Sequence, residues 1–570
     1  MVRSKVLRTA IALSTALPAA SPLVVVAEDG AIALEEIVVT ARRREESVQE
    51  APVAVTAFTE QMVRDAGIFR VEDFIALTPN VTIATSQGIG TSFMSIRGIT
   101  QVRNGEPPVA TIVDGVLQFT AQQFRRELFD IESIEVVKGP QGALYGRNAT
   151  GGAIIINTRR PTNEAYGYVQ AGLGEGDETA LQASYGGALI EDKLFGQVSA
   201  NWIDRDGYLD NITRDEEADR FEDTTLRGRL IWEASDALSL DFRAAYSEHK
   251  GRGIGFQFQG VDIAADGITA SGFGTDTGPI DANNVLPVRD NNVDTGEREM
   301  IDLTFKLDYE TDFGTLIYTA SYTELEEWGD SDQFPYTNAR SSAALFGFDG
   351  TQTGFFDLEA FTQEIRFTSP AENRIQWGVG AYYLDWERFV SLSTGVDTGQ
   401  GILRLERAPT MDPRNPTTSF LADDNDNTAW AVFGNVDIAL TDELDLLLAL
   451  RYDEEDREQN VSLLQFPAGQ PGARNKESFD KLQPKVTLRY QPTDNLNLYA
   501  TWGEGFRSGQ FNQNGIAQVA AGAGLNGVSD VADQEESESF EIGVKSTLLD
   551  NRLRLNAALF RTDVEGQQFF

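Results

Sequence analysis

Residues able to do chemistry are few in these 570 residues. There is no cysteine and a single histidine, His249. The missing thiol excludes disulfides, Fe–S clusters, thiol nucleophiles and cysteine-ligated zinc. The lone imidazole excludes histidine-cluster metal sites and most histidine-dependent catalysis. Acids are abundant, with Asp+Glu 88 against Lys+Arg 47 and a formal net charge of −41. Such a chain is a poor partner for nucleic acid, whose phosphates need basic patches. Asp290, Asn292, Asp294 and Gly296 sit at loosely calcium-like spacing. The glycine is displaced by one from the EF-hand pattern, and no helices flank the run. Solvated loop acids are the better account, so no metal site is expected, and His249 reads as a surface histidine. Gly139, Gly142, Gly146, Gly151 and Gly152 invite a phosphate loop. The pattern G-x-x-x-x-G-K-[ST] is absent, because Arg147 and Asn148 follow Gly146. These glycines suit tight turns and close backbone approach instead. No catalytic constellation is visible, no cofactor is implied and no enzyme activity is expected.

The elements that carry these residues begin with a targeting segment. Residues 1–27 hold Arg3, Lys5 and Arg8, no acid, and the apolar runs Ala10–Ala20 and Leu23–Val26. Val25-Val26-Ala27 fits the small-residue pattern before a signal-peptidase cut. An anchor helix is the alternative, but Pro18 and Pro22 interrupt a run already short for a span. No later run is apolar enough for a transmembrane helix. The mature protein is then either soluble and exported or a closed barrel, since only helices and barrels span lipid.

From about Glu164 the sequence alternates with period two. Leu238, Leu240, Phe242, Ala244 and Tyr246 share one face, opposite Ser239, Asp241 and Arg243. Thr315–Thr323 and Asn551–Phe560 repeat the pattern. A β-sandwich also alternates, but the connections separate the two cases. About 15 strands are expected. Every second connection is tight, as at Glu191-Asp192, Ser235-Asp236, Thr311-Asp312, Ala371-Glu372, Thr441-Asp442, Pro492-Thr493-Asp494 and Asp550-Asn551. Most others are long: Arg205–Arg220, Lys250–Glu297, Trp328–Gly354 and Phe389–Asn425. Short turns at one rim and long loops at the other describe a transmembrane antiparallel β-barrel of the bacterial outer membrane over 164–570. Single-chain bacterial barrels have even strand numbers, and an open edge in lipid leaves polar backbone unpaired. Fifteen strands therefore predict a sequence that stops before its barrel closes. About seven more would reach the 22-stranded, plugged type.

Between these parts, residues 49–161 have a different texture. Short β-branched runs (Val53–Ala57, Val81–Ala84, Ile112–Val113, Ile134–Val137, Ile154–Ile156) alternate with Gly-rich turns, and Thr59–Ala66 and Val71–Leu77 look helical, with Thr59 as N-cap and Gly67 as stop. This reads as a compact α+β domain of about 110 residues. Ahead of it, Ile37–Thr40 is β-prone and precedes a charged run, Arg42–Glu46, expected to stay solvated. A free segment of this kind can add a strand to a partner's sheet edge.

Several motifs are recognisable together: Glu35–Ala41 (EEIVVTA), Ser95–Ile99 (SIRGI) with Val113-Asp114-Gly115-Val116, Ile134–Gly152 (IEVVKGPQGALYGRNATGG), Glu504–Asn512 (EGFRSGQFN) and Glu536–Ser546 (ESESFEIGVKS). With them the chain resembles the TonB-dependent outer-membrane receptors over nearly all of its mature length. The resemblance implies an N-terminal α+β plug domain inside the barrel lumen and a tether, residues 28–48, that carries a TonB box. Glu35, Glu36, Ile37, Val38, Val39, Thr40 and Ala41 would then pair with a TonB-type energy-transducing protein. The short leader leaves no room for an N-terminal signalling domain, which points to a transporter rather than a transducer. Arg97, Gly98, Asp114, Gly115 and the glycines around Arg147 fall in the plug motifs. Arg97 and Arg147 become candidate buried plug charges, with Glu536 and Glu541 as barrel-wall partners in a plug latch. The implied function is TonB-dependent import of a scarce small molecule, first a ferric siderophore, with a glycan or cobalamin as alternatives. An exported structural or adhesive β-protein is the rival from another class. Phe256, Phe258, Phe273, Phe334, Tyr336, Phe346 and Phe348 are loop aromatics able to stack on a ligand.

Overall fold

A computed structural model describes residues 36–85, 92–101, 105–253, 288–333, 349–407, 409–461, 474–512 and 516–568. The signal segment, Glu35 and the seven loop aromatics named above lie outside the described residues. Two bodies follow one another along the chain. The first opens with a small hairpin, β1 (Val38–Val39) and β2 (Glu46–Ser47), then β3 (Val55–Thr59), α1 (Glu60–Asp65), α2 (Val71–Ala76), β4 (Val81–Thr85), β5 (Ser92–Ile96) and β6 (Ile99–Thr100). It continues with β7 (Val109–Val113), β8 (Val116–Gln118), α3 (Ala121–Phe124), β9 (Ile131–Lys138), α4 (Gly142–Tyr145) and β10 (Gly152–Thr158).

Local chemistry explains these elements. Thr59 caps α1 by accepting from the Met62 N–H, and Gly67 ends it at φ 65. The Asp73 carboxylate accepts from the N–H groups of Phe69 and Arg70 at the start of α2. Strands β3-β9-β10-β7-β8 form one sheet, in which only β7 and β10 run parallel, while β4-β5-β6 form a second. Two hairpin turns need positive φ at both central residues, Arg97-Gly98 between β5 and β6 and Asp114-Gly115 between β7 and β8. Phe58, Phe74, Ile96, Ile134, Val136 and Ile154 pack the core between the sheet and the helices.

The second body is a fifteen-stranded antiparallel sheet: β11 (Tyr166–Leu173), β12 (Thr179–Ile190), β13 (Leu194–Arg205), β16 (Phe221–Ser235), β17 (Leu238–Gly251), β18 (Thr295–Thr311), β19 (Gly314–Asp332), β20 (Gly350–Thr368), β21 (Ile375–Val396), β22 (Thr417–Ala439), β23 (Leu444–Val461), β24 (Arg474–Thr493), β25 (Leu496–Arg507), β28 (Glu535–Leu548) and β29 (Leu553–Glu565). Two small hairpins, β14–β15 (Asp210–Asn211, Glu216–Glu217) and β26–β27 (Gln510–Phe511, Val531–Ala532), and a helix, α5 (Ile516–Gly522), lie in its long connections. Every strand pairs with its sequence neighbour in the series, and β11 and β29 are its two edges. The plug touches β13 and β16–β18 on one flank and β23–β25 and β28 on the other, so the sheet wraps around it. Among the described residues no helix is long and apolar enough to cross a membrane.

The fifteen strands and tight turns agree with the sequence reading. The long connections are shorter than expected, because the strands run on beyond the apolar alternation. Residues 389–396 and 417–425, read as loop, belong to β21 and β22. Hydrogen-bond ladders continue where both faces meet water, but apolar periodicity does not, and only periodicity is visible in sequence.

Candidate functional site

The tether is docked rather than free. Val38 and Val39 pair with Ser47 and Glu46, and the Val48 N–H donates to the Ile37 carbonyl. Glu36 and Val38 are exposed, whereas Val39 and Ala41 are fully buried. The Thr40 N–H and hydroxyl both donate to the Glu135 carboxylate of β9 at 2.8 Å. The Tyr145 hydroxyl donates to the Ala41 carbonyl at 3.2 Å. The charged run is not solvated either. Arg42 joins Glu46 at 2.6 Å and reaches Asp437 on the barrel wall at 2.9 Å, where Arg44 also pairs. Arg43 stacks on Tyr145, 4.4 Å from the ring centroid. Just downstream, Lys545 donates to the Val48 carbonyl and Asn497 to the Gln49 carbonyl. Three arginines followed by two glutamates read as a solvated run only when the wall carboxylate they meet, some 390 residues away, is out of sight. Burial pushes the Glu135 carboxyl up to about 7, against the downward pull of the two Thr40 hydrogen bonds.

Two buried charge clusters hold the plug to the wall. Arg97, in left-handed backbone, pairs with Glu541 at 2.5 Å, and the Tyr499 hydroxyl donates to the other oxygen of that carboxylate at 2.7 Å. Arg147 pairs with Glu455 on β23 at 2.9 Å and with Glu106 of the plug. Arg457 from the wall reaches both of those carboxylates. Arg507 pairs with Glu535 at 2.7 Å and donates to the Glu106 carbonyl. Burial raises the Glu106 carboxyl, but Arg147 and Arg457 overcome it and hold it at about 2. The structure thus joins Arg97 to Glu541. It does not bring Glu536 to either plug arginine: Glu536 is held by Lys481. Parity explains this. Glu536 and Glu541 are five residues apart on one strand, so they point to opposite faces. Glu535 shares the inner face with Glu541. Sequence alone does not single out Glu106, Glu455 or Glu535, although the same parity argument makes Glu535 the wall residue.

The plug glycines serve different ends. A Cβ on Gly142 would sit 1.8 Å from the Gln483 side-chain oxygen, and one on Gly146, which has φ 84, 2.7 Å from the Arg451 guanidinium. Both bring the plug backbone against the wall. Gly98, Gly115, Gly139 and Gly152 also take positive φ, while Gly151 has ordinary room and ordinary backbone.

A family model for the TonB-dependent receptor plug domain matches residues 47–153, and one for the TonB-dependent receptor-like β-barrel matches residues 252–570. The chain belongs to the TonB-dependent receptors. It is similar to the pesticin receptor of Yersinia pestis, 23% identical over 540 residues, which are 94% of this chain and 71% of that protein. It is likewise 23% identical to a probable TonB-dependent siderophore receptor of Acinetobacter baumannii, over 91% of this chain and 69% of the other. Among solved structures, the ferric yersiniabactin uptake receptor of Yersinia pestis superposes with a TM-score of 0.72 at 18% identity, covering 91% of this chain and 73% of that one. The Acinetobacter baumannii siderophore receptor gives 0.70 at 18%, covering 90% and 73%. These structural likenesses establish the plugged-barrel fold.

In this receptor the remaining chemical candidates are structural. His249 is buried, not on the surface, with Nδ1 2.6 Å from the Asp223 carboxylate. Asp290 is buried and Asp294 half-buried, and both pair with Arg252 rather than standing free in solvent. Burial and the neighbouring Asp294 carboxyl push Asp290 well above the usual carboxylate range. Among the described residues no group of three acids or histidines is arranged to hold a metal.

Proposed function

We propose that this receptor imports a ferric siderophore across the outer membrane, driven by a TonB-type protein that grips residues 35–41. The observation that carries the reading is mechanical. A folded plug fills the barrel, is ion-paired to its wall, and has its leading segment clasped by short-range bonds at one end. A plugged barrel is no open pore, and the outer membrane offers no energy source of its own. Force must therefore arrive through a segment that a partner can hold. Ile37–Thr40 has the β-prone character to add a strand to a partner's sheet edge once unclasped. Relatives named as siderophore receptors support an iron chelate as cargo. Residues 1–27 would direct export and be removed, 28–48 act as the tether, 49–161 as the plug and 164–570 as the barrel. Arg97 with Glu541, and Arg147 with Glu455, would latch the plug. The ion pairs cost desolvation, so they specify the seat of the plug more than they stabilise it.

The test supplies cells with radio-iron as ferric yersiniabactin, ferripyoverdine or ferric alcaligin. Deleting Glu35–Ala41 should abolish uptake of the accepted chelate while leaving its binding to whole cells intact. Uptake that survives the deletion, or that persists without TonB, refutes the reading.

A further inference from the structure

An apolar island interrupts the polar inner wall of the barrel. On β18–β21 the inward residues Met300, Leu325, Leu358, Leu384 and Trp386 form one buried cluster. The next inward residues along the same strands are charged or polar: Arg298 and Asp302 on either side of Met300, Thr323 and Glu327 on either side of Leu325, and Arg388 beyond Trp386. Phe119, between β8 and α3 of the plug, is the peg in this socket. Its ring is buried and lies 5.9 Å from the Trp386 ring, tilted by 41°. The fit is one of shape alone. Tyr382 packs against the same cluster. Its buried hydroxyl and the buried indole N–H of Trp386 find no hydrogen-bond partner among the described residues. A phenyl ring fills apolar room and offers no acceptor. Buried donors left unpaired are costly, and nearly all in folded proteins are satisfied. The Arg388 guanidinium stands 5.6 Å from the Trp386 ring centroid, and its Nε is unpartnered as well.

The segment that carries Phe119 is lightly held. Strand β8 pairs only with β7, at the edge of the plug sheet. Helix α3 is a single turn, closed at its start by the Gln123 side-chain oxygen, which accepts from the Phe119 N–H at 2.9 Å. The wall grips this turn through Arg298, which donates to the carbonyls of Gln122 and Arg125, both at 2.8 Å. None of these bonds involves the central strands β9 and β10. Strand β18 starts at the outer mouth, and Met300 comes two residues after Arg298. Lifting the turn therefore uncovers the socket from the outer side.

We propose that Phe119 is a built-in competitor for a cargo subsite. The imported molecule carries a flat apolar ring with a hydrogen-bond acceptor, takes the socket on β18–β21, expels Phe119 and so lifts α3 from the wall. The ring replaces the phenyl in shape, and its acceptor pairs with the donors that Phe119 leaves idle. Loading is thereby turned into a movement of the plug. A competitor in the same chain lowers the apparent affinity in proportion to the time it spends in the socket. The proposal rests on the import reading above and adds to it the ring and the displacement.

Ala121 lies two residues beyond the peg and is 6% exposed, and the chain has no cysteine. Ala121→Cys leaves Phe119 in place and puts a single thiol on the turn. In isolated outer membranes that thiol should react slowly with a maleimide, and severalfold faster once ferric yersiniabactin, ferripyoverdine or ferric alcaligin, whichever the receptor accepts, is bound. Cargo that settled on a fixed turn would cover the thiol, so unchanged or slower labelling overturns the proposal. Phe119→Ala should tighten binding of the same chelate about tenfold, whereas loss of a purely structural peg would weaken binding or leave it alone. A second arm needs no import. The purified Phe119→Ala receptor, titrated with para-fluoroacetophenone and with para-fluorotoluene and followed by fluorine NMR, should hold the first roughly tenfold more tightly. Adding Trp386→Phe should erase the difference. Equal affinity for the two rings refutes the acceptor. A receptor that imports none of the three chelates refutes the import reading, and the second arm then decides the socket on its own.

Discussion

Two buried plug carboxyls respond to pH in opposite senses, and both signs follow from their neighbours. Glu106 is held at about 2, below its ordinary 4.5, by Arg147 and Arg457 acting against burial. Its contribution to plug stability is complete above pH 4.5 and is lost as pH falls through 2. Glu135 is raised to about 7 by burial, with Thr40 opposing. Its contribution is complete below pH 4.5 and is lost as pH rises through 7. Glu135→Gln should therefore flatten the pH dependence of plug unfolding between pH 4.5 and 7 and raise plug stability at neutral pH, read by thermal melts across that range. An unchanged slope contradicts the assignment. Arg147→Met tests the other cluster. It leaves the Glu106 and Glu455 carboxylates to share the Arg457 guanidinium, beside the neutral donors Asn148 and Ser508, and breaking a buried pair costs about 3–5 kcal/mol. The plug should leave the barrel at lower urea, seen as ion conductance in planar bilayers, while the barrel melts as before. At this scale the sequence is legible where parity and spacing decide. Arg97, Arg147 and Glu541 could be picked out, and Glu536 could have been rejected by counting. Glu106 and Glu455 carry no local signal, because their partners are brought to them only by folding.

Among the elements, the tether is the one whose sequence misleads. Val38-Val39 in β1 and its flanking charges read as a solvated strand awaiting a partner. The folded chain instead occupies the same groups with β2, Glu135 and Asp437. Local propensity reports what a segment can pair with, not which partner it finds. The clasp is built from few bonds, so single changes should loosen it. Asp437 receives both Arg42 and Arg44. Asp437→Asn should mobilise a spin label at Val38, which is 53% exposed, and should tighten binding of a soluble TonB fragment. A label that stays as immobile as in the wild type would show that Thr40 and Glu135 suffice to hold the tether. The short helices α3 and α4 could not be read from sequence, since four residues give no period to detect.

For the whole molecule, the outer face of the sheet records where lipid ends. Facing outward, Tyr309, Trp377 and Tyr490 mark one rim of an apolar band, and Tyr383, Trp430 and Trp202 the other. Leu303, Ile365, Val379, Val432 and Leu450 lie exposed between them. Beyond the second rim the outward positions turn acidic. Glu324, Glu359, Glu387, Asp426 and Glu458 stand directly opposite one another on five successive strands. Like charges face to face across a ladder repel. In hydrocarbon such a row would be prohibitive, whereas water and counter-ions screen it. This is also why the strands β19–β23 are longer than their apolar alternation, and why the net charge of −41 coexists with a membrane protein. Single cysteines along β20 in intact cells make the boundary measurable, since no native thiol competes. Cysteines replacing Asp357 and Glu359 should react with a membrane-impermeant maleimide, and those replacing Phe361 and Ile365 should not. Labelling at Ile365 as fast as at Glu359 would move the lipid edge at least a turn of the ladder toward the periplasm. It would also leave the carboxylate row without the physical reason given for its place.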